Sequence, residues 1–383
     1  PSRYINTYSI VNSDGTPAAE PLRMGNPNIT WEKGGNFNAG VDFSFWGERL
    51  GGTVEGFVRK TSDMLYSMPL PPTFGYRSYY DNVGDMVNRG FEIDLHGDII
   101  RTKDITLGMT ANLTYVKNKI TRLADRSKQQ KCDGVDGYSS GTFFYGEGES
   151  LYTFYMPTYA GVDPVSGLPT YWKQVTTPEG EIEMVRTTDY NSLSTSTDYH
   201  LQGSALPTLY GGFGIYANLY GFDASVDFNY QVGGKVYDST YAGLMGSPYS
   251  ESKGGAIHKD VLKGWTPENT GASIPRFVYG DQFISRSSSR FLTNAGYLAL
   301  QSINVGYTLP AKATKKIQIE RVRFYFSADN VAIWSKRKGL DPRQSMAQGL
   351  TASGAKEQSI TGSSSSAYYS PVRTLSGGIN VTF

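Results

Sequence analysis

The sequence is poor in the residues that build most enzyme sites. Its 383 residues include one cysteine and three histidines, and only 19% are charged, against roughly 25% in a typical soluble domain. The single cysteine, Cys132, excludes an intrachain disulfide and a metal site built from several cysteines. His96, His200 and His258 lie far apart on different predicted elements, which argues against a catalytic triad or a metal cluster. We therefore predict no catalytic residue, no metal and no cofactor, and we do not expect an enzyme.

Strong net charge and long apolar runs are also absent. The formal net charge is +1, so nothing indicates a polyanionic partner, and we expect no nucleic acid to bind. No stretch approaches the ~18 consecutive apolar residues that a transmembrane helix requires. A membrane β-barrel is not excluded, because its strands show only a two-residue alternation. The chain begins PSRYINTYSI, without a methionine, a basic segment or the apolar core of a signal peptide, so we expect a fragment or a processed product.

Glycine and aromatic residues are abundant, and they stand in alternating runs. The chain contains 44 Gly, 28 Tyr and 18 Phe. In NFNAGVDFSFW (36–46), apolar residues alternate with polar or small ones, and ITLGMTANLTYV (105–116) and FDASVDFNYQ (222–231) follow the same rule. This alternation places apolar side chains on one face of a strand and polar side chains on the other. The sequence therefore predicts an all-β protein.

Eleven strands are predicted, and most are about ten residues long, whereas strands of globular proteins average about five or six. Their predicted bounds are 36–46, 52–64, 88–98, 105–117, 150–160, 168–175, 207–219, 222–231, 295–308, 319–331 and 372–383. Short turns are predicted at 46–52, 98–104, 220–221 and 310–316. Long segments alternate with these turns, at 65–87, 118–149, 232–294 and 332–371. Short turns at one end of the strands and long loops at the other are typical of an outer-membrane β-barrel.

A soluble β-sandwich or propeller also alternates apolar and polar residues, so the pattern alone leaves this alternative open. Three features favour the membrane barrel. The strands are long, the loops reach about sixty residues, and aromatic residues lie near the strand ends, as in a membrane girdle.

Seven motifs stand in order along most of the chain. They are NPNITWEKGGNFNAGVDFSFWGERLGGTVEGFVRKTSDML (26–65), NVGDMVNRGFEIDLHG (82–97), LKGWTPENTGASIPR (262–276), AGYLALQSINVGYTLP (295–310), RFYFSADNVAIW (323–334), GLDP (339–342) and YSPVRTLSGGINVTF (369–383). Together they resemble the C-terminal half of the SusC/RagA-like TonB-dependent transporters of the Bacteroidetes outer membrane.

The resemblance implies a transmembrane antiparallel β-barrel of about 22 strands, of which residues 1–383 would supply about eleven C-terminal strands. The plug domain, through which TonB acts, and the N-terminal half of the barrel would lie outside this chain. Implied partners are this missing half, TonB, membrane lipid and a SusD-like lipoprotein lid. The implied function is active import of a large nutrient, an oligosaccharide or an oligopeptide, across the bacterial outer membrane. The alternative is a secreted or surface β-rich glycan-binding or adhesive module without transport.

Ligand binding is expected in the long loops, because loops on a rigid scaffold carry recognition. Exposed aromatic rings stack on sugars or accommodate peptide side chains at low entropic cost. The candidate ligand-binding residues are Tyr76, Arg77, Tyr79, Tyr80, Trp172 and Trp265. A second interpretation stays open, in which these rings pack the loops together or contact the lid.

Polar residues of the alternating strands are expected to face the lumen, where they either solvate a wet interior or contact substrate and plug. They are Asn36, Asn38, Asp42, Glu92, Asp94, Asp223, Asp227, Asn229, Asn304 and Arg323. DGVDG (133–137) is predicted to be an ordinary turn, and GGFG (211–214) to let a strand pass close to neighbouring side chains. The chain ends on SGGINVTF, and the family resemblance suggests Phe383 as a signal for barrel assembly.

Overall fold

The structure is a computed structural model. It describes residues 3–70, 72–76, 78–246, 255–281, 283–314, 318–343, 349–350, 356–357 and 372–383. The described chain consists of β-strands and the loops between them, with a few helical turns. Within these residues, no helix is both long and apolar enough to cross a membrane.

The strands are numbered in chain order. The first twelve are β1 Thr7–Ser13, β2 Thr16–Arg23, β3 Lys33–Phe45, β4 Leu50–Pro69, β5 Ser78–Arg101, β6 Ile105–Leu123, β7 Gln130–Cys132, β8 Val135–Ser140, β9 Phe143–Gly146, β10 Thr153–Pro157, β11 Tyr159–Val162 and β12 Pro169–Thr176. The others are β13 Ile182–Thr187, β14 Tyr199–Ser204, β15 Leu209–Leu219, β16 Phe222–Val232, β17 Lys235–Tyr237, β18 Leu292–Asn294, β19 Tyr297–Thr308, β20 Arg321–Ser335, β21 Gly349–Leu350, β22 Lys356–Glu357 and β23 Thr374–Thr382.

The helical elements are short. The α-helices are α1 Ser239–Met245 and α2 Ala311–Thr314. Turns of 3-10 helix lie at Pro72–Phe74, Asp125–Ser127, Tyr190–Ser192, Lys259–Lys263 and Ser289–Phe291.

Nine strands form one antiparallel sheet, in the order β3-β4-β5-β6-β15-β16-β19-β20-β23. Because neighbours in the sheet follow one another along the chain, the sheet is an up-and-down meander. At one end the connections are short, at 46–49, 102–104, 220–221 and 309–320. At the other end three of them are long, at 124–208, 233–296 and 336–373. The predicted alternation of short turns and long loops is confirmed at these connections.

The prediction of eleven strands in one barrel sheet was wrong for two segments. Residues 150–160 contain β10, which belongs to a separate sheet in the order β7-β8-β9-β10-β14. Residues 168–175 coincide with β12, the middle strand of the sheet β11-β12-β13. The physical reason is burial: every residue of β10 is buried, whereas a barrel strand must leave one face to lipid.

The predicted loop at 65–87 is also wrong, because most of it is strand. β4 continues to Pro69 and β5 starts at Ser78, and the two pair through Leu65↔Asn82 and Met68↔Tyr79. The stretch is rich in tyrosine, which favours strands over loops. The result is a hairpin that extends beyond the rest of the sheet.

The register of the long sheet separates an apolar face from a polar face. One row across four strands reads Met109↔Ile215↔Val226↔Ile303. The next row reads Thr110↔Gly214↔Asp227↔Ser302. Apolar side chains of the first face are exposed, with Val41 at 66% and Ile379 at 60%. Leu375 and Val381 on the last strand and Phe383 directly after it are exposed as well, as the alternation predicts.

Aromatic rings mark both ends of the apolar face. Near the short turns Phe222 packs on Tyr307, with ring centroids 4.3 Å apart, and Trp46 follows Phe45. Near the long loops Tyr115 stacks on Phe91 at 5.3 Å, and Trp334 is exposed. We call these two sets the short-turn girdle (Phe45, Trp46, Tyr220, Phe222, Tyr307 and Phe324) and the long-loop girdle (Phe37, Phe91, Tyr115, Tyr230 and Trp334). Two aromatic girdles at the level of the headgroups are typical of membrane barrels.

Among the residues that the structure describes, the largest buried cluster lies in the long loops. Phe143, Tyr145, Phe154 and Met156 of β9 and β10 pack with Ile120 of β6. Phe143 and Phe154 contact at 5.0 Å between ring centroids. This cluster packs the sheet β7-β8-β9-β10-β14 against the long-loop end of the nine-stranded sheet. Most aromatic residues of segment 137–155 belong to it.

The first described residues pack beside the β4–β5 hairpin. β1 and β2 form a hairpin that the sequence pattern did not reveal. After it, Asn26 Nδ2 donates to the buried Asp81 carboxylate at 2.9 Å, and Arg126 forms an ion pair with the same carboxylate. One buried carboxylate thus joins three segments that are distant in sequence.

The predicted turn at DGVDG (133–137) is confirmed for Asp133 and Gly134 only, because Val135 starts β8, and the predicted close packing at GGFG (211–214) is confirmed. Asp133 and Gly134 have φ values of 47° and 84° and connect the pair Cys132↔Val135, as in a two-residue hairpin turn. At Gly211 a Cβ would lie 2.1 Å from the Asn112 carbonyl oxygen. The missing side chain lets the Tyr230 hydroxyl donate to that carbonyl at 3.1 Å.

Candidate ligand-binding site

The polar face carries charge-assisted hydrogen bonds near the short turns. Arg323 donates to Asp223 with two nitrogens, one of them at 2.9 Å. The Tyr216 hydroxyl donates to the Asp98 carboxylate at 2.7 Å. Charge-assisted bonds of this kind are the stronger class. They fix polar side chains on the face that was predicted to line the lumen.

The polar residues that were predicted to face the lumen lie on this face. The pairs Asp227↔Ser302 and Ser225↔Asn304 are joined by side-chain hydrogen bonds of 2.7 and 3.2 Å. Glu92 lies directly opposite Glu55 in the ladder.

The Glu55–Glu92 pair gives one part of the wall a negative charge. Asp94 is two residues beyond Glu92 along β5, opposite Thr53, and Thr53 donates to Asp42 at 2.6 Å. Like charges directly opposite each other destabilise a sheet. These carboxylates therefore favour water or a cationic group on this side of the sheet.

A cavity of about 830 Å³ lies where the polar face meets the long loops. Its lining residues on the polar face are Asn88, Asn118, Tyr210, Gln231 and Tyr297. The crossing segments 148–150 and 204–208 form the other wall. Tyrosine rings beside amide groups provide both stacking surfaces and hydrogen-bond partners, the usual composition of a specific pocket.

Asn118 holds the loop wall of this cavity in place. Its side-chain oxygen Oδ1 accepts from the backbone N–H of Leu151 at 2.7 Å, and its side-chain nitrogen Nδ2 donates to Asn88 Oδ1 at 2.7 Å. Beside it, Glu147 accepts from the Leu123 amide at 2.7 Å. The Leu123 hydrogen bond holds the pKa of Glu147 below its usual range, so this carboxylate stays ionised at neutral pH. The wall is therefore a rigid element rather than an open loop.

Three of the candidate tyrosines lie on the β4–β5 hairpin. Tyr76 and Tyr8 share a hydrogen bond of 3.2 Å between their hydroxyls, and this bond raises the pKa of Tyr76. Two guanidinium groups, from Arg3 and Arg23, lie 4.1 and 5.2 Å from the centre of the Tyr80 ring. The two rings thus pack against the N-terminal hairpin.

Tyr79 has a different environment. Its ring packs against the buried cluster of the loops, and its hydroxyl donates to Asp81 at 3.4 Å. Burial is the main cause that raises the pKa of Tyr79. Arg77 lies outside the described residues.

The two candidate tryptophans lie at the three-stranded sheet β11-β12-β13. On β12 the Trp172 ring faces Arg186 of β13, whose guanidinium lies 5.3 Å from the ring centre. Trp265 packs on the turn before β12 and donates its indole N–H to the Pro164 carbonyl at 3.0 Å. Gly167 of this turn has φ 71°, and a Cβ there would lie 2.4 Å from the Trp265 ring. The Trp265 ring therefore packs the connection between β16 and β19 (233–296) against the connection between β6 and β15 (124–208).

The five candidate residues that the structure describes do not converge on one cleft. They form one group on the β4–β5 hairpin and another at the β11-β12-β13 sheet, and none of the five lines the 830 Å³ cavity. Among the described residues no group of three or more His, Cys, Asp or Glu side chains is arranged to hold a metal ion.

The chain matches a family model described as TonB dependent receptor-like, beta-barrel, over residues 2–331. This chain belongs to that family. The predicted resemblance to SusC/RagA-like proteins is confirmed, and so is the all-β barrel fold class. Proteins of the TonB-dependent receptor family are transporters and receptors of the outer membrane. The chain is accordingly an outer-membrane protein, and its apolar face is the one that contacts lipid.

Individual relatives agree with the family. TonB-dependent receptor P3 of Formosa agariphila is 26% identical over 347 residues, which cover 89% of this chain and 33% of that protein. TonB-dependent receptor SusC of Bacteroides thetaiotaomicron is 25% identical, over 83% of this chain and 30% of that protein. The chain thus spans about a third of the curated relatives that it matches.

A solved structure matches the whole chain. The RagAB peptide transporter superposes with a TM-score of 0.78 at 26% identity, over 100% of this chain and 39% of that chain. The nine-stranded sheet and its loops therefore follow the architecture of that solved transporter.

The cavity residues were missed by sequence reasoning. Tyr210, Gln231 and Tyr297 stand at the long-loop ends of their strands, and each is a polar or amphipathic residue on the polar side of the alternation. Their place at the long-loop ends of the strands is the sequence signal that could have identified these cavity residues. The other wall is formed by segments 148–150 and 204–208, and its place beside β6 depends on long-range contacts that no local pattern contains.

Proposed function

We propose that this chain forms part of a TonB-dependent importer that carries a large nutrient, an oligosaccharide or an oligopeptide, across the outer membrane. The observation that carries the proposal is the polar wall of an otherwise apolar, lipid-facing sheet, with a cavity of about 830 Å³ at its long-loop end. A polar face inside a membrane sheet is costly unless water or a polar ligand fills the space beside it.

The importer needs parts that lie outside this chain. β3 and β23 are the two edges of the sheet, and each pairs on one side only among the described strands. Unpaired edges are not tolerated in lipid, so we propose that further strands of an N-terminal half close the barrel. We also propose that a plug inside the barrel couples to TonB and that a SusD-like lipoprotein covers the long loops.

The ligand is proposed to bind at the long-loop end. Tyr76, Tyr79 and Tyr80 lie on the β4–β5 hairpin, and Trp172 and Trp265 belong to the connecting loops, whereas Arg77 lies outside the described residues. We retain all six residues as proposed contacts. Tyr210 and Tyr297 of the cavity are added to them, because they lie on the polar wall along which a substrate would pass.

Uptake and binding by the full-length protein test this proposal. Purified full-length transporter is titrated with defined oligopeptides and oligosaccharides, and cells are tested for uptake of the compound that binds, with and without TonB. We expect binding of one class, and uptake that is lost without TonB. Tyr210→Ala should weaken binding, whereas Tyr220→Ala, an exposed tyrosine in a short turn, should not. Uptake that persists without TonB would contradict the proposal.

The alternative function, a secreted or surface glycan-binding or adhesive module, predicts a different solution behaviour. The exposed apolar face should make the protein depend on detergent or lipid. If the full-length protein stays folded and monodisperse in plain aqueous buffer, the alternative is favoured and the importer is rejected.

A further inference from the structure

An apolar notch of about 690 Å³ interrupts the lipid-facing side of the sheet near the short turns. Its walls include the side chains of Leu50 on β4, Leu95 on β5 and Met109 on β6. These three residues belong to the apolar face by register. His96, Asp98 and Thr110 of the polar face also border the notch, and the Asp98 carboxylate is occupied by the Tyr216 hydroxyl and by Arg101. Because Leu50, Leu95 and Met109 form the apolar part of its wall, we assign the opening of the notch to the hydrocarbon of the membrane.

The notch exists because small residues meet there on adjacent strands. Gly97 pairs with Leu50 on one side and Met109 on the other, and Ala111 of β6 lies opposite Leu95. At these two positions the apolar face lacks a large side chain.

An irregularity in the strand pairing bounds the notch at its short-turn end. The register between β5 and β6 shifts between Asp98 and Ile100, which leaves Ile99 as an extra residue. Ile99 lines the notch and is 60% exposed. Bulges of this kind re-aim a side chain and bend the strand.

A cation and an indole ring line the same notch. Trp46 and Arg49 belong to the turn between β3 and β4, and both are exposed. Arg49 takes part in none of the ion pairs formed among the described residues. Trp46 belongs to the short-turn girdle, and girdle rings lie at the level of lipid headgroups. Apolar surface thus lies on the hydrocarbon side of this level, with a positive charge beside it.

We propose that the notch is a binding site for one anionic phospholipid of the periplasmic leaflet. An acyl chain fills the space over Gly97 and Ala111, and the headgroup phosphate lies beside Arg49. The assignment to this leaflet follows from the short turns, which face the periplasm in barrels of this kind. Arg49 provides the charge complementarity that selects an anionic headgroup over a zwitterionic one. The site depends on the outer-membrane location of the chain and not on the identity of the imported nutrient.

A larger side chain that fills the notch tests the acyl-chain part of the proposal. Gly97→Leu is compatible with the fold, because a Cβ at Gly97 would have only ordinary contacts, at 3.4 and 3.5 Å, with Arg49 and Leu50. Gly56→Leu is the matched control, since Gly56 lies on the same apolar face and a Cβ there has no atom within 4 Å. Full-length protein in detergent is titrated with phosphatidylglycerol, and bound lipids are counted by native mass spectrometry. We expect the affinity of the tightest-bound lipid to fall about tenfold in Gly97→Leu and to stay unchanged in Gly56→Leu.

Removal of the positive charge of Arg49 tests the headgroup part of the proposal. In Arg49→Gln the preference for phosphatidylglycerol over phosphatidylcholine should fall about fivefold, the effect of one cation near a membrane surface. Lys103→Gln removes an exposed cation from the neighbouring short turn, outside the notch, and should leave the preference intact. The proposal is overturned if Gly97→Leu binds phosphatidylglycerol as the unmodified protein does. It is also overturned if both members of either variant pair lose binding or preference equally, because the effect would then be general to this surface.

Discussion

The long sheet and the long loops use the same aromatic pairs in opposite environments. In the sheet, Phe213 and Phe228 stack with ring centroids 4.9 Å apart, and Phe213 is 37% exposed. In the loops, Phe143 and Phe154 contact at 5.0 Å, and Phe154 is 0% exposed. The distance between the ring centroids is nearly the same, although the sheet pair is stacked and the loop pair is tilted, and the exposure of the rings differs.

The difference shows which solvent each region is built for. A side chain on the apolar face of the long sheet makes about half of its contacts with lipid tails, which are as apolar as a leucine side chain. A loop residue must find all of its apolar contacts within the protein, because water surrounds the loops. The sheet therefore alternates, whereas β9 and β10 are buried along their whole length. Four predictions test this contrast, from the largest expected effect to the smallest.

Removal of a buried loop ring should have the largest effect. Phe154→Ala would leave a cavity in the cluster around Ile120, at a cost of about 3–5 kcal/mol. Phe213→Ala on the lipid face should cost less, because lipid tails fill the space. Hydrogen exchange of the full-length protein in detergent measures both, and Phe154→Ala should speed exchange in β8–β10 alone. Equal effects of the two variants would contradict the contrast.

Charge placed on opposite faces of one strand should have the next largest effect. Val226 and Ser225 are consecutive residues of β16, on the lipid face and the polar face. Val226 lies midway between the two girdles, so Val226→Arg should destabilise the sheet by about 2–4 kcal/mol. Ser225→Arg should cost much less, since it faces water. Urea unfolding in lipid vesicles measures both, and a reversed order would show that the faces are assigned wrongly.

Alkaline pH should loosen the loops before the sheet. Burial is the main cause that raises the pKa of Cys132 and of Tyr155, each to about 12. An acid whose pKa is raised in the folded state binds its proton there more tightly, so its contribution to stability is complete below the unfolded pKa. That contribution is lost as the pH rises towards 12, beginning near 9 for Cys132 and near 10 for Tyr155.

The measurement is tyrosinate absorbance against pH, together with alkylation of the thiol at pH 8. Cys132 should react slowly at pH 8 and faster once the loops open. Rapid alkylation at pH 8 would mean that the loop core around Cys132, Phe144 and Tyr155 is not packed as described.

The smallest effect on stability is expected at the end of β23. Phe383 is 88% exposed, so Phe383→Ala removes little packing within this chain. We still expect less protein to be assembled in the outer membrane, with unchanged substrate affinity of the assembled fraction. Cell-surface labelling and immunoblotting measure this amount, and unaltered surface levels would rule out a role of Phe383 as an assembly signal.

Most of the long sheet could be predicted from the sequence, because alternation is a local signal. All nine of its strands were predicted as strands, and rows such as Met109↔Ile215↔Val226 follow from residues that stand two apart. The same signal failed for β10 and β12, since an apolar run indicates a buried strand but not the sheet that it joins. The hairpin at 65–87 was missed because its proline and glycine residues indicate a loop, although its tyrosines favour a strand.

The candidate site was less predictable than the fold. Aromatic content drew attention to the β4–β5 hairpin and to the two tryptophans, but partners such as Arg3, Arg23 and Pro164 come from distant segments. The cavity depends on how residues 148–150 cross the end of β6, which is set by the Asn118 and Glu147 hydrogen bonds. Those contacts join positions about thirty residues apart, beyond the reach of any periodicity.

The distance between the two girdles determines the bilayer thickness that matches this protein. Phe222 and Tyr230 lie at opposite ends of the apolar face of β16, about 26 Å apart along a strand that rises about 3.3 Å per residue. At the usual tilt of about 40° this leaves about 20 Å of apolar height. A thicker bilayer would have to thin around the sheet. The protein should therefore concentrate in thin regions of the membrane and lose stability in long-chain lipid.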